Sequence, residues 1–137
     1  MSTAETKTLK TIWSQDCPDH NEKLIETGDT DMKKATIDRI RKFTEDRDWD
    51  QFHSPVNLAK SIVIEAAELL ECFQWSDTEF DPQHVKEELA DVLVYTQNLL
   101  DKLGFDADEI VNMKMAQNEA KYPVDKARGN AAKYTDL

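Results

Sequence analysis

The 137-residue chain is poor in the residues that make tight turns and covalent staples: it has three glycines, four prolines and two cysteines. That supply disfavours turn-rich all-β folds and excludes collagen-like repeats. Gly28, Gly104 and Gly129 are too scattered to build a P-loop or a GxGxxG turn, so any nucleotide phosphate would have to be held by metal ions and side chains. Cys17 and Cys72 lie 55 positions apart and, without secretory context, are expected to be free thiols. Long apolar runs are missing too. The stretch from Leu58 to Ile64 falls far short of the roughly 18 residues of a membrane span, and the N-terminus has no signal-peptide core. A cytoplasmic protein with no membrane partner is the expectation. Basic residues are outnumbered, 17 against 28 acidic ones for a net charge of −11, which argues against a nucleic-acid polymer as partner. No internal repeat is visible, no nucleophile elbow is present, and His20, His53 and His84 lack zinc-site spacing.

What is present is a chain 39% hydrophobic and 33% charged, long enough for one domain, in which helical periodicity dominates. Residues 1–30 are polar, with one short apolar pattern at Leu9, Ile12 and Trp13, and read as an arm. Within it, Cys17-Pro-Asp-His20 reads as a loop, because partner ligands for half a metal site are missing. Residues 31–137 form the domain. Its first helix is expected from Asp31, as cap, to about Asp46, with Ile37, Ile40 and Phe43 as its apolar stripe. After a loop at Arg47-Asp-Trp-Asp-Gln-Phe-His53, Ser54-Pro55 opens a second helix through Leu58, Ile62, Leu69 and Phe73 to about Trp75. Asp81-Pro82 repeats that start signal for a third helix, which runs to Lys102 and stops at Gly104. Asp106 and Glu109 have capping-box spacing for a fourth, which Pro123 ends. The predicted architecture is all-α, a four-helix bundle core with an N-terminal arm.

The chemistry concentrates in the second and third helices. Ile62-Val-Ile-Glu65-Ala-Ala-Glu68-Leu-Leu places two acids three apart within apolar sequence, and Glu88-Leu-Ala-Asp91-Val-Leu-Val-Tyr95 does the same. That spacing puts each pair on one side of its helix, about one turn apart. Four carboxylates forced into apolar surroundings would protonate or demand cations. Neither run contains a well-placed Lys or Arg, and Lys86 lies beside the third-helix pair, not across from it. Mg2+ suits four oxygen donors, with Mn2+ as a possible substitute, because it keeps waters that phosphates can replace. The competing reading makes the four acids solvated faces of amphipathic helices. Glu71 and Glu87 are assigned to outer positions.

In the fourth helix Lys114, Asn118 and Lys121 recur on one face, and from 114 to 133 five basic residues stand against two acids. This local inversion in an acidic chain suits phosphate, although an ordinary solvated helix would look similar. Trp49, His53 and Trp75 flank the second helix. Aromatic rings so placed could sandwich a nucleobase; the tryptophans could equally be core or interface, and His53 a hydrogen-bonded loop residue. A second helix apolar around most of its circumference cannot be covered by three neighbours, which points to symmetric self-association.

Taken together, Arg47-Asp-Trp-Asp-Gln-Phe-His53-Ser-Pro-Val-Asn-Leu58, Glu65-Ala-Ala-Glu68, Phe73-Gln-Trp75, Glu88-Leu-Ala-Asp91, Lys114-Met-x-x-Asn118-x-x-Lys121-Tyr-Pro and the ending Lys133-Tyr-Thr-Asp-Leu resemble the MazG-like all-α nucleoside triphosphate pyrophosphohydrolases, most of all the dCTP pyrophosphatase branch. The resemblance runs over about residues 32–135 and omits the arm. It implies Mg2+-dependent hydrolysis of a nucleoside triphosphate to monophosphate and pyrophosphate, for nucleotide-pool cleaning, in a homodimer or homotetramer. By matched positions it implies Glu65, Glu68, Glu88 and Asp91 as catalytic metal ligands. Lys114, Asn118 and Lys121 would meet phosphates or sugar, and Trp49, His53, Trp75 and Tyr95 would line the base and sugar pocket. The expected mechanism is in-line attack by a metal-activated water, with one glutamate taking its proton. Two alternatives stand beside it. One is a pyrophosphohydrolase of another nucleotide, such as phosphoribosyl-ATP or a damaged base triphosphate; the other is a non-catalytic helical module that binds metal structurally.

Overall fold

A computed structural model describes residues 32–136, and every regular element among them is helical. The arm, including Cys17-Pro-Asp-His20 and the pattern at Leu9, Ile12 and Trp13, lies outside the described residues. The chain divides between Glu109 and Ile110, so that residues 32–109 and 110–136 belong to two compact units.

In the first unit, helix α1 spans Lys34–Glu45, α2 spans Pro55–Glu71 and α3 spans Pro82–Leu103. The start signals act as the sequence predicts. Ser54 Oγ accepts the Asn57 amide at 3.1 Å ahead of Pro55, and Asp81 Oδ1 accepts the Gln83 amide at 2.9 Å ahead of Pro82. Gly104 closes α3 with φ of 68°, a left-handed turn in which the Phe105 amide bonds back to the Leu100 carbonyl at 3.0 Å.

Two boundaries differ from expectation. Helix α1 has Lys33 as its N-cap, with no side-chain cap bond, in place of Asp31, which lies outside the described residues. Helix α2 stops at Glu71, four residues before Trp75. Its end tightens into three-residue turns, Phe73 amide to Leu70 carbonyl at 3.1 Å and Gln74 amide to Glu71 carbonyl at 3.0 Å. Phe73 is thereby brought edge-on to Phe80, with ring centroids 4.8 Å apart. Ser76 Oγ then accepts the Thr78 and Glu79 amides, which fixes the turn towards α3.

Helix α2 packs chiefly on α3, and α1 makes a smaller contact with α3. The pairing runs antiparallel: Asp50, just before α2, meets Lys102 at the end of α3, whereas Glu65, further along α2, meets Glu88 and Asp91 nearer the start of α3. Leu58 is the one fully buried apolar side chain among the described residues, and Gln97 is the buried polar one. Large apolar side chains of α2 stay in solvent, Leu70 at 70% exposure and Val63 and Ile64 likewise exposed. Helix α3 covers only part of this helix.

That incomplete cover corrects the expectation that all four acids are enclosed by apolar side chains. Glu65 and Glu88 are half-buried, while Glu68 and Asp91 are exposed, because apolar neighbours in sequence cover a carboxylate only where a second helix packs over them. No helix among the described residues is long and apolar enough to cross a membrane.

The second unit holds most of α4, Ala107–Lys121, then α5, Val124–Ala127, and a single 3-10 turn at Tyr134–Asp136. Asp106 Oδ1 accepts the Glu109 amide at 2.9 Å, the bond its spacing predicts. Past Pro123, Tyr122 and Tyr134 pack edge-on at 6.0 Å.

Candidate active site

Helices α2 and α3 each present an acidic pair spaced by three residues, and their antiparallel packing turns the pairs towards each other. One carboxylate oxygen each from Glu65, Glu88 and Asp91 lies within 4.8 Å of the other two. Glu68 is outside this trio but acts on it electrostatically. The Glu65 carboxyl is held above its ordinary range, first by its partial burial and then by the charges of Glu68, Asp91 and Glu88. Among the described residues no Lys or Arg forms an ion pair with any of the four. Their one basic contact among the described residues is His84 Nε2 to Glu88 Oε1 at 3.0 Å. The sequence reading gave His84 no role, although its four-residue step to Glu88 on one helix was a usable signal.

This donor set fits a hard divalent cation. All ligands are carboxylate oxygens, the preference of Mg2+ and Mn2+. Oxygens on one Mg2+ lie at most about 4.2 Å apart for bonds near 2.1 Å, so a trio spanning up to 4.8 Å needs only small side-chain shifts. Cys72, half-buried and free, sits near the cluster, and burial followed by the Glu88 charge pushes its thiol pKa up. It is correspondingly poor in thiolate. Glu71 and Glu87 are both exposed, and Glu87 accepts from Gln83 Nε2 at 2.8 Å.

The aromatic candidates occupy separate places. Trp49 packs edge-on against Phe43 at 5.6 Å, with the Arg47 guanidinium 3.6 Å over the Phe43 ring. His53 lines a cleft of about 530 Å³ together with Arg41, Thr44, Asp48, Asn98 and Asp101. Trp49, Trp75 and Tyr95 do not line that cleft. Trp75 stands 89% exposed in the turn after α2, and Tyr95 is half-buried on α3, one turn past Asp91. On α4, Lys114 is exposed, Asn118 half-buried, and Lys121 Nζ lies 5.2 Å from the centre of the Tyr134 ring.

Sequence reasoning also missed a set of polar links from α1 and the following loop to α3. Arg41 holds Asp101 through two bonds, 2.9 and 2.7 Å, and Gln97 donates to the same carboxylate at 3.0 Å. Arg41 first, against a smaller opposing effect of burial, keeps the Asp101 carboxyl below its ordinary range. Such pairs join residues 60 apart and leave no local pattern to find.

The described residues are helical and carry clustered carboxylates facing across two helices, the donor set of a divalent-cation site, and comparison with known proteins places the chain. Residues 60–137 match the model of the MazG-like family. The chain is 44% identical to dCTP pyrophosphatase 1 of Mus musculus over an alignment of 117 residues, covering 76% of this chain and 69% of the mouse protein. The Homo sapiens dCTP pyrophosphatase 1 is 40% identical over the same share of each chain. Among solved structures, a pyrophosphatase from Archaeoglobus fulgidus superposes with a TM-score of 0.58 at 42% identity, covering 65% of this chain and 90% of that one. The chain belongs to the MazG-like family, on its dCTP pyrophosphatase branch, and is a nucleoside triphosphate pyrophosphohydrolase.

Proposed function

We propose that the protein hydrolyses dCTP, or a related or modified pyrimidine nucleotide, to the monophosphate and pyrophosphate with Mg2+, Mn2+ being able to substitute, as a cytoplasmic cleaner of the nucleotide pool. The observation that carries this reading is the meeting of Glu65, Glu88 and Asp91 within 4.8 Å without a Lys or Arg paired to them among the described residues. The names of the mouse and human relatives support the choice of dCTP.

In this reading Glu65, Glu68, Glu88 and Asp91 hold the cation. When bound, it neutralises charge on the triphosphate oxygens and makes a water easier to deprotonate. A glutamate of the quartet accepts the proton of the attacking water at a carboxylate oxygen. Lys114, Asn118 and Lys121 bind phosphate or sugar and offset charge on departing pyrophosphate. Trp49, His53, Trp75 and Tyr95 receive the base and sugar, and because Trp49 and Trp75 stand beyond opposite ends of the 17-residue α2, about 25 Å apart, the two tryptophans meet one base only from different copies of the chain. Residues 31–137 form the catalytic domain, with the long helices as a four-helix bundle core and residues 1–30 as an arm. Self-association as a homodimer or homotetramer covers the exposed Val63, Ile64 and Leu70, whose solvation in a lone chain would be costly.

The test is pyrophosphate release from a panel of nucleoside triphosphates with Mg2+. Wild-type protein should favour dCTP, and Glu65→Gln should lose on the order of a hundredfold or more in rate. A Glu65→Gln protein that works at the wild-type rate refutes the assignment.

A further inference from the structure

Residues 47–53, Arg-Asp-Trp-Asp-Gln-Phe-His, carry two of the side chains proposed to receive the base, yet the segment has little burial to hold it: Phe52 is 62% exposed and Asp50 more so. Its shape is specified by hydrogen bonds. Asp48 takes a left-handed backbone, φ 52°, which an Asp tolerates better than most residues. Gln51 Nε2 locks it by donating to both the Asp48 carbonyl at 2.9 Å and Asp48 Oδ2 at 2.8 Å. At the far side Asn57 Nδ2 donates to the Phe52 carbonyl at 3.0 Å, which ties the segment to the start of α2. These bonds fix the segment's internal geometry and its junction with α2. None of them fixes its distance from α3, the helix that carries Glu88 and Asp91.

The Asp48 and Trp49 amides tie the segment to the Glu45 and Thr44 carbonyls at the end of α1, and among the described residues one side chain bonds it directly to α3. Lys102, in the last turn of α3, donates to Asp50 Oδ1 at 2.9 Å and lies 3.4 Å from the Asp50 carbonyl, gripping side chain and backbone of one residue. The neighbouring α3 residues Asn98 and Asp101 pair with Thr44 and Arg41, both on α1, and form no hydrogen bond with the segment, whose cleft they share. A cation at this place is also favoured by the C-terminal end of the helix. Helix α3 is continuous from Pro82 to Leu103, so the eleven residue steps from Asp91 to Lys102 act as a ruler of about 16.5 Å between acid cluster and grip.

We infer that Lys102, through Asp50, is a positioning residue that sets the Trp49–His53 segment at a fixed distance from the acid cluster and so helps determine which base is accepted. The inference rests on the proposed base-binding role of Trp49 and His53. A nucleotide whose phosphates sit on the acids has its base at a set reach, and the segment must meet it there. Small misplacements of a binding group are costly because orientation is lost along with contact. An exposed ion pair adds little to folding stability, so the effect of this one should appear in substrate discrimination more than in melting.

The experiment compares Lys102→Met, Lys102→Arg, Asp50→Ala and Trp49→Ala in steady-state hydrolysis of dCTP and dTTP, with melting temperatures measured alongside. Lys102→Met should raise KM for dCTP roughly two- to fivefold, the factor corresponding to a lost ion pair, with a smaller change in kcat and a narrowed dCTP to dTTP ratio of kcat/KM. Asp50→Ala should reproduce this from the exposed partner, and it decides the matter if Lys102→Met does not fold. Lys102→Arg should restore both KM and discrimination. A wild-type KM and ratio in Lys102→Met or Asp50→Ala, while Trp49→Ala raises KM, overturns the inference and leaves the base-pocket reading standing. If Trp49→Ala also behaves as wild type, both fall.

Discussion

Replacing Glu65 by Gln should stabilise the metal-free protein and destabilise it relative to wild type once Mg2+ is added. In the cluster the Glu65 oxygen lies within 4.8 Å of the Glu88 and Asp91 oxygens, where each pair repels by about 0.9 kcal/mol in water and about 3.5 kcal/mol at an effective dielectric of 20. Asp91 is exposed, so the lower figure governs, and two neighbours give about 2 kcal/mol relieved by the uncharged side chain. At roughly 3 to 4 °C per kcal/mol for a chain of this size, the variant should melt about 6 to 8 °C above wild type in EDTA. Saturating Mg2+ at 100 times its Kd adds about 2.7 kcal/mol to a protein that binds it and little to one that has lost a ligand, which reverses the order. The pH dependence has a definite sign. Glu65 has a folded-state pKa raised above its ordinary 4.5, so its contribution to stability is fully present below 4.5 and is lost as pH rises through the folded value. The metal-free gap between variant and wild type should therefore close as the pH is lowered towards 4.5. Scanning calorimetry across pH, with and without Mg2+, reads all of this. A variant that melts below wild type in EDTA, or equal Mg2+ shifts for both proteins, would refute the reasoning.

Asp101→Asn should lower the denaturant midpoint at neutral pH by loosening α1 from α3. Because the Asp101 carboxyl sits below its ordinary 3.8, its contribution is present above 3.8 and is lost as pH falls through the lower folded value, so the variant should show a flatter acid limb. Gly104→Ala tests the turn after α3: a Cβ there meets nothing within 4 Å, so the cost is conformational alone, about 1 kcal/mol for a left-handed alanine, readable by urea unfolding.

Much of the helical plan was legible because its signals are local. Ser54-Pro55, Asp81-Pro82, Asp106 with Glu109, and Gly104 each act through bonds to residues within five positions, and each does so in the structure. Helix α2 ends earlier than its apolar pattern predicts: past Glu71 the chain tightens and Phe73 packs on Phe80, seven positions on and across a turn that helical periodicity does not register. The grips of Arg41 on Asp101 and Lys102 on Asp50 span 60 and 52 positions and left no trace in spacing.

The acid cluster shows where pattern and environment part company. Spacing placed Glu65 with Glu68 and Glu88 with Asp91 on common helix sides, and packing then brought three of the four together. Their apolar sequence neighbours implied a buried quartet, but a run such as Ile62 to Leu70 reports only what one helix carries, and with α2 partly covered Glu68 and Asp91 reach solvent. Burial contributes at Glu65 and Glu88, while the like charges held together across two helices, with His84 on Glu88 as their one basic contact among the described residues, act wherever the side chains are wet or dry. A divalent ion held by these carboxylates would relieve the repulsion further than the single His84 contact or the protonation of Glu65 does, which is why the order of melting temperatures in EDTA and in Mg2+ is the sharper measure of what this cluster is for.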